Sequence, residues 1–475
     1  MLFSSIVFVL YFLPIVLVLY YLFSFSRLLQ NILLFVASII FYSWGETKYA
    51  ILMCISILFN TLMGYLVDKT KQNEKMGKGL VAVTVACNLA ILFVFKYLPF
   101  TIRNINSLIG LDITVPSFVL PLGISFYTFQ AISYVVDVYR QDAKVEKNPF
   151  YVGLYIAFFP QLIAGPIVRY NTIAEQIRNR KSSIKKFSVG CCRFLVGFEK
   201  KILLANSFAI VADEIFKLTH AQTVPASLAW VGAIAYTLQI YFDFSAYSDM
   251  AIGLAGMFGF RLEENFNYPY ISKSVGEFWR RWHISLSTFF KEYVYFPLGG
   301  SRTENQDKMV RNTFIVWVLT GIWHGAEWTF FLWGLCNFVF IMGERLFKFE
   351  QSSIPKFFKH IYALFVINIG WVLFRAENLS HAFLYLKNMF CLNGNGITSD
   401  LAFVFIKEYL PFWVAGIIFS TPIAKRINKL NADKNMPVIG NVITLIYPAV
   451  ILGLFFICMT YLVIGSYNPF IYFNF

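Results

Sequence analysis

The sequence predicts an all-α, polytopic membrane protein of about eleven transmembrane helices, with re-entrant or interfacial helices besides. Three observations carry that reading. Apolar residues make up 58% of the 475 and charged residues only 14%, so a water-soluble domain could not cover its surface. Run after run reaches the roughly 20 apolar residues that a helix needs to cross about 30 Å of hydrocarbon. Those runs lack the alternation of barrel strands, so the backbone must satisfy its own hydrogen bonds as helix.

In chain order the expected spans lie near residues 6–23, 28–44, 47–67, 79–98, 116–138, 188–216, 225–250, 311–326, 328–347, 357–375, 407–424 and 437–465. The first has no basic leader and no small-residue cleavage site, and it reads as a span rather than a cleaved signal. No internal repeat or low-complexity linker interrupts the chain, so residues 1–475 are expected to form one membrane domain. The net charge of +14 resides in the loops, where it reports topology first, with contact with anionic lipid or an anionic cytosolic substrate as the alternatives; it does not point to nucleic acid. The seven cysteines are scattered, without the spacing of a zinc site, and no metal is expected.

Basic loops orient the chain. Lys69, Lys71, Lys75 and Lys78 mark a cytoplasmic loop, which puts the N-terminus outside and the stretch from Arg140 to Lys147 inside. The basic stretch from Arg169 to Lys186 is cytoplasmic by the same rule, yet only one apolar run, about 150–168, precedes it. That run contains Phe159-Pro160-Gln161-Leu162-Ile163-Ala164-Gly165-Pro166, which breaks a helix. A re-entrant segment opening to the cytoplasm is therefore expected, with its broken backbone satisfied by protein or by a wet cavity. Between Arg261 and Arg311, residues Trp279, Trp282, His283, Leu286, Phe289, Phe290 and Tyr293 recur at helical spacing. They predict one amphipathic helix with Arg280, Ser287 and Lys291 off the aromatic face.

Two of the five histidines are chemically prominent. His324, in Gly321-Ile322-Trp323-His324-Gly325, lies thirteen residues beyond Arg311, about 20 Å along a helix axis. An ionisable group at that depth is costly, and it reads as a functional site or as a histidine hydrogen-bonded between helices for packing. Low dielectric favours its neutral ring, which suits a general base acting on a hydroxyl. Gly321 and Gly325 leave room for a backbone or a substrate beside it. His283, in Phe278-Trp279-Arg280-Arg281-Trp282-His283, has a structural and a functional reading of equal weight. Asp243 and Asp249 stand six residues apart and point about 120° away from each other on a helix. They are not an acid pair, and a supporting role opposite a buried histidine or arginine is expected. Ser245, Asp249 and Gly253 share a face and predict a close helix contact. Pro297-Leu298-Gly299-Gly300-Ser301-Arg302 lacks the ending of a phosphate loop and reads as a turn. No nucleophile elbow of a serine hydrolase is present.

At these residues the chain resembles the membrane-bound O-acyltransferase family, in particular its bacterial branch that O-acetylates alginate. Relatives that acetylate peptidoglycan or D-alanylate teichoic acid stand nearby. The likeness rests on Gln239–Gly253, on Glu264-Asn265-Phe266-Asn267-Tyr268-Pro269-Tyr270, on Phe278–Ser287, on Tyr293–Gly300 and on Trp323-His324-Gly325. The C-terminal Asn468-Pro469-Phe470-Ile471-Tyr472-Phe473-Asn474-Phe475 is similar too, with Asn-Phe where relatives often carry Arg-Phe.

The resemblance implies a ring of helices around a thinned centre, with funnels meeting near the histidines. It implies that His324 is the catalytic base and that His283 places or polarises a thioester carbonyl. Trp279, Arg280, Arg281, Trp282 and Trp323 are implied to bind or support the donor, with Asp243 and Asp249 in support. The donor implied is acetyl-CoA on the cytoplasmic side, with no bound cofactor. The acceptor implied is a polysaccharide hydroxyl, reached directly or through an extracytoplasmic acetyltransferase partner. The location implied is the bacterial cytoplasmic membrane. Other readings are a transporter or flippase of lipid-linked saccharide using Asp243, Asp249 and His324, and a family member acting on lipid or protein, for which asparagine at position 283 would be the sign.

Overall fold

A computed structural model describes residues 1–45, 47–221, 223–300, 306–423, 425–427 and 437–471. Ser301 and Arg302 of the expected turn, and 472–475 of the C-terminal motif, lie outside the described residues. The described residues are helical or irregular, with no strand. They cluster into two compact units, Met1–Phe194 with Ser248–Glu263, and Leu195–Tyr247 with Glu264–Phe475.

Five helices are long and apolar enough to cross a membrane among the described residues. They are Thr47–Lys69, Glu74–Ile109, Trp328–Leu346, Lys356–Arg375 and Ile446–Val463. A sixth arises if Asp400–Glu408 and Leu410–Phe419, bent by 68°, count as one. The protein is thus an all-helical, multi-pass membrane protein. Other expected runs take different forms. The run at 116–138 begins as irregular chain and becomes helical only at Ile124–Arg140, because Pro121 and the left-handed Gly123 delay the helix start. That helix is buried over almost its whole length, so its apolar residues face protein. The run at 188–216 is continuous helix from Ile184 to Ala221, passing through a π turn at Lys200–Ala205.

In the first unit the broken segment divides into Pro149–Ala157 and Phe159–Leu162. Nine residues of helix reach only about 14 Å, too short to span. Side chains meet the polar groups at the break: Phe159 N–H donates to Ser38 Oγ at 3.0 Å, and Gln161 Nε2 donates to Tyr155 O at 2.6 Å. Tyr155 Oη in turn donates to Val168 O at 2.8 Å. The expected broken backbone is therefore satisfied by protein. The expected close helix contact is present as well. A Cβ on Gly253 would stand 2.6 Å from Gly190 O, and one on Gly190 would stand 2.6 Å from Gly253 O. Beside this crossing Asp249 pairs with Arg193 at 2.9 Å.

The second unit is built on a helical hairpin, Gln306–His324 and Trp328–Leu346, onto which Lys356–Arg375 packs. Gly321 and Gly334 face each other across the hairpin. A Cβ on either would lie 2.6 Å from a backbone carbonyl, of Phe330 and Trp317 respectively. Asn368 ties the third helix to Ala226–Met257, donating to Thr237 Oγ1 at 2.7 Å and to Ala233 O at 3.1 Å.

Since backbone cannot yield as a flexible side chain does, Gly253→Val is expected to destabilise the protein by about 1–3 kcal/mol. A fall in melting temperature in detergent, with membrane insertion retained, checks it. An unchanged melting temperature would contradict the close crossing.

Candidate active site

Part of the site is carried on short helices whose starts are held by side chains from elsewhere in the chain. The helix Val275–Arg281 starts where Ser274 Oγ accepts from Glu277 N–H at 2.9 Å. Glu344 then accepts from the N–H groups of Val275 and Gly276, at 2.5 and 2.8 Å. An acidic group at a helix N-terminus meets both the orphan donors and the positive dipole end. So capped, seven residues of helix suffice to aim Trp279 and the following Trp282.

The amphipathic helix expected through 279–293 is in fact two. Val275–Arg281 ends at Trp282, and Ile284–Phe290 starts after His283, whose φ of 45° is left-handed. Helical spacing could not reveal the break, because no proline or glycine marks it. Asn265 holds it from outside. Its Oδ1 accepts from Ser285 N–H at 3.1 Å and from Ser285 Oγ at 2.9 Å, and lies 3.2 Å from His283 Nδ1. Its carbonyl O accepts from Ile284 N–H at 3.0 Å. An oxygen already accepting from a backbone N–H can only accept from the imidazole, so Nδ1 carries the proton and Nε2 is the acceptor nitrogen.

His283 is buried and belongs to none of the apolar spans; desolvation lowers its pKa to about 3. It lies edge-on to Phe244, with ring centroids 4.6 Å apart, and 6.1 Å from the Trp323 ring.

His324 ends the first hairpin helix and lines a narrow cavity with Trp279, Trp282, Trp333, Trp371 and Phe374. Ile240, Phe244 and Ile471 complete the lining. Its ring meets Trp323, Trp333 and Phe374 near-perpendicularly at 4.8, 5.1 and 5.0 Å. Trp279 is fixed by donating Nε1–H to Asn337 Oδ1 at 2.8 Å. His283 is not in the lining; it meets Phe244, which is, and Trp323, whose ring also meets that of His324. The flanking glycines serve packing: a Cβ on Gly325 would strike the Phe330 ring at 2.1 Å.

The remaining sequence-derived residues fall in three places. Arg280 pairs with Glu350 at 2.6 Å, and that guanidinium holds the Glu350 carboxyl below its usual range. Arg281 pairs with Glu277 at 2.8 Å and donates to Asn267 O at 3.1 Å. Asp249 belongs to the first unit, with Arg193 as its partner. Asp243 pairs with Lys201 at 2.8 Å, deep in the second unit. Lys201, Asn265, Glu344, Trp333, Trp371 and Phe374 were not singled out from the sequence. Of these, Lys201 and Glu344 had a signal there, as charges inside expected spans.

The chain matches the model of the membrane-bound O-acyltransferase family over residues 36–384, through both units. It is 40% identical to the probable alginate O-acetylase AlgI of Pseudomonas putida over the full length of both chains. It is 34% identical to the peptidoglycan O-acetyltransferase of Helicobacter pylori, over 83% of this chain and 80% of that one. Identity to the teichoic acid D-alanyltransferase of Bacillus subtilis is 27%, over 63% of this chain and 76% of the other.

The neutral His283 has a thermodynamic consequence. The unfolded imidazole titrates near 6.5 and the folded one near 3, so the unfolded state binds more protons between those values. Stability is full above pH 6.5 and is lost as pH falls towards 3. Acidifying from pH 6.5 to 5 is expected to remove roughly 2 kcal/mol, a loss that His283→Asn abolishes. Melting curves of both proteins across that range check it, and parallel pH profiles would contradict a buried neutral His283.

Proposed function

Because the chain belongs to the membrane-bound O-acyltransferase family, we propose that this multi-pass O-acyltransferase transfers an acetyl group from cytoplasmic acetyl-CoA across the cytoplasmic membrane. The acceptor is a hydroxyl of a cell-envelope or extracellular polysaccharide, directly or through an extracytoplasmic acetyltransferase partner. Its likeness to an alginate and a peptidoglycan O-acetyltransferase supports the acceptor class.

The single observation that carries the chemistry is His324 at the wall of an aromatic cavity. Indole and phenyl rings exclude water, and the low dielectric they create favours the uncharged imidazole, the form able to take a proton. The sequence of bonds follows. His324 takes the proton of the acceptor hydroxyl as its oxygen attacks the thioester carbonyl. The tetrahedral adduct collapses, the C–S bond breaks, and the imidazolium returns the proton to the departing thiolate. His283 supports this step through its contacts with Trp323 and Phe244, by setting the position of the rings that line the cavity. Arg280 and Arg281, already paired with carboxylates, order the helix that carries Trp279 and Trp282 and stand beside the donor as support.

A positioned general base contributes roughly 10²–10⁴-fold. His324→Ala is accordingly expected to lower acetyl transfer by at least about a hundredfold while leaving the protein in the membrane at its normal level. Label transfer from radioactive acetyl-CoA, in membranes holding equal amounts of either protein, measures it. Wild-type transfer by the variant would remove His324 from the mechanism.

A further inference from the structure

One buried charge pair in the second unit has no part in the chemistry above. Lys201 and Asp243 lie 2.8 Å apart, with side chains 3% and 2% exposed. Removing two charges so completely from water is costly, and in an apolar run such a pair calls for a reason beyond stability. Its remaining hydrogen bonds supply one. Asp243 Oδ2 accepts from the backbone N–H of Ile471 at 2.8 Å, and Lys201 Nζ donates to the carbonyl of Pro469. The same stretch is held on either side, by Asn206 Nδ2 donating to Asn468 Oδ1 at 3.2 Å and by Tyr247 against Phe470, ring centroids 5.3 Å apart. The π turn at Lys200–Ala205 begins one residue before Lys201, and such turns commonly re-aim a side chain at a functional site.

The segment so held matters because Ile471 lines the cavity of His324. Pro469 and Ile471 are bound through backbone atoms and not through their side chains. The clamp therefore leaves the Ile471 side chain available as wall. Most of its other walls are aromatic rings; Ile471 is an aliphatic wall, as Ile240 is, but it is carried on the clamped stretch that follows the last helix.

Resting on the acyl-transfer reading, we propose that Lys201 and Asp243 are positioning residues whose ion pair clamps 468–471, making Ile471 the wall that limits the size of the transferred acyl group. A short acyl group fits beside Ile471; a longer one requires the volume that side chain fills. The transfer chemistry itself is unchanged, and only the room for the acyl chain depends on the clamp.

The clamp is tested without any donor. In an Ile471→Cys protein, alkylation of residue 471 by N-ethylmaleimide, followed by peptide mass spectrometry, is slow. It becomes several-fold faster when Lys201→Met and Asp243→Leu are added together, a combination that strands no charge. Equal rates would overturn the clamp. The wall is tested by turnover of acetyl-CoA against butyryl-CoA. Ile471→Ala raises the butyryl-to-acetyl ratio roughly tenfold or more, the scale on which apolar pockets discriminate methylenes. The Lys201→Met/Asp243→Leu protein moves the ratio in the same direction, and Lys201→Arg with Asp243 intact keeps it near wild type. A lower rate with an unchanged ratio in Ile471→Ala and in the double variant would show a structural pair only and overturn the proposal. Should the double variant fail to fold, the ratio in Ile471→Ala still decides the wall. Failure of wild-type protein to turn over acetyl-CoA would overturn the acyl-transfer reading, while the alkylation rates would still decide the clamp.

Discussion

A polar backbone group that this apolar chain buries where a helix breaks needs a partner brought from elsewhere, and that constraint organises the structure. Where the helix breaks at Phe158, Ser38 receives the N–H that the helix would have used. Where a helix of seven residues starts at Val275, a carboxylate from another helix receives its first two N–H groups. Without those acceptors neither break could exist away from water, since each unmet group costs several kcal/mol in hydrocarbon. The breaks, in turn, bring side chains to places that straight helices would not reach. Trp279 and Trp282 enter the cavity because their helix is short and capped; a continuous helix through residue 293 would aim its later turns elsewhere.

The cavity is aromatic for a related reason. Trp279, Trp333 and Trp371 meet edge to face or stacked at 5.3 to 6.2 Å, which makes a stiff wall from residues with few rotamers. Stiffness matters more than affinity there. A base that works on an alkoxide-like transition state gains from groups that are already in place and do not reorganise. Asn337, holding the Trp279 indole, and Asn368, joining two helices, extend the same rigidity outward from the rings.

Much of this was legible in the sequence, and the illegible part has a common cause. Composition and run length disclosed a polytopic helical protein, and Pro160, Gly165 and Pro166 disclosed the broken segment. The unmarked break at His283 was hidden, because its cause lies eighteen residues away in Asn265 and not in the local pattern. The partner of Asp243 was hidden likewise: an arginine or histidine was expected, and the lysine at 201 is forty-two residues upstream. Nothing in the sequence showed that Arg280 and Arg281, implied to bind or support the donor, pair with Glu350 and Glu277. Periodicity reports what a residue's own helix does. Long-range partners, which decide where charge survives, are invisible to it. Hydropathy alone likewise cannot tell a largely buried helix such as Ile124–Arg140 from a lipid-facing one.

The left-handed backbone at His283 shows how such a partner can determine geometry. A side-chain-bearing residue at φ 45° costs about 1–2 kcal/mol relative to the helical region, and neither neighbour offers a glycine to absorb it. Asn265 more than offsets that cost. One side-chain oxygen collects Ser285 N–H, Ser285 Oγ and the imidazole, while the main-chain oxygen takes Ile284 N–H. Hydrogen bonds worth about 1 kcal/mol each suffice, and they exist only if the chain turns at residue 283. The turn moves the ring out of the helical register and against Phe244, which itself lines the cavity of His324. A histidine in regular helix could not at once give Nδ1 to Asn265 and its edge to Phe244. The residue type and the strained backbone are thus one choice, made by an asparagine that does not line the cavity.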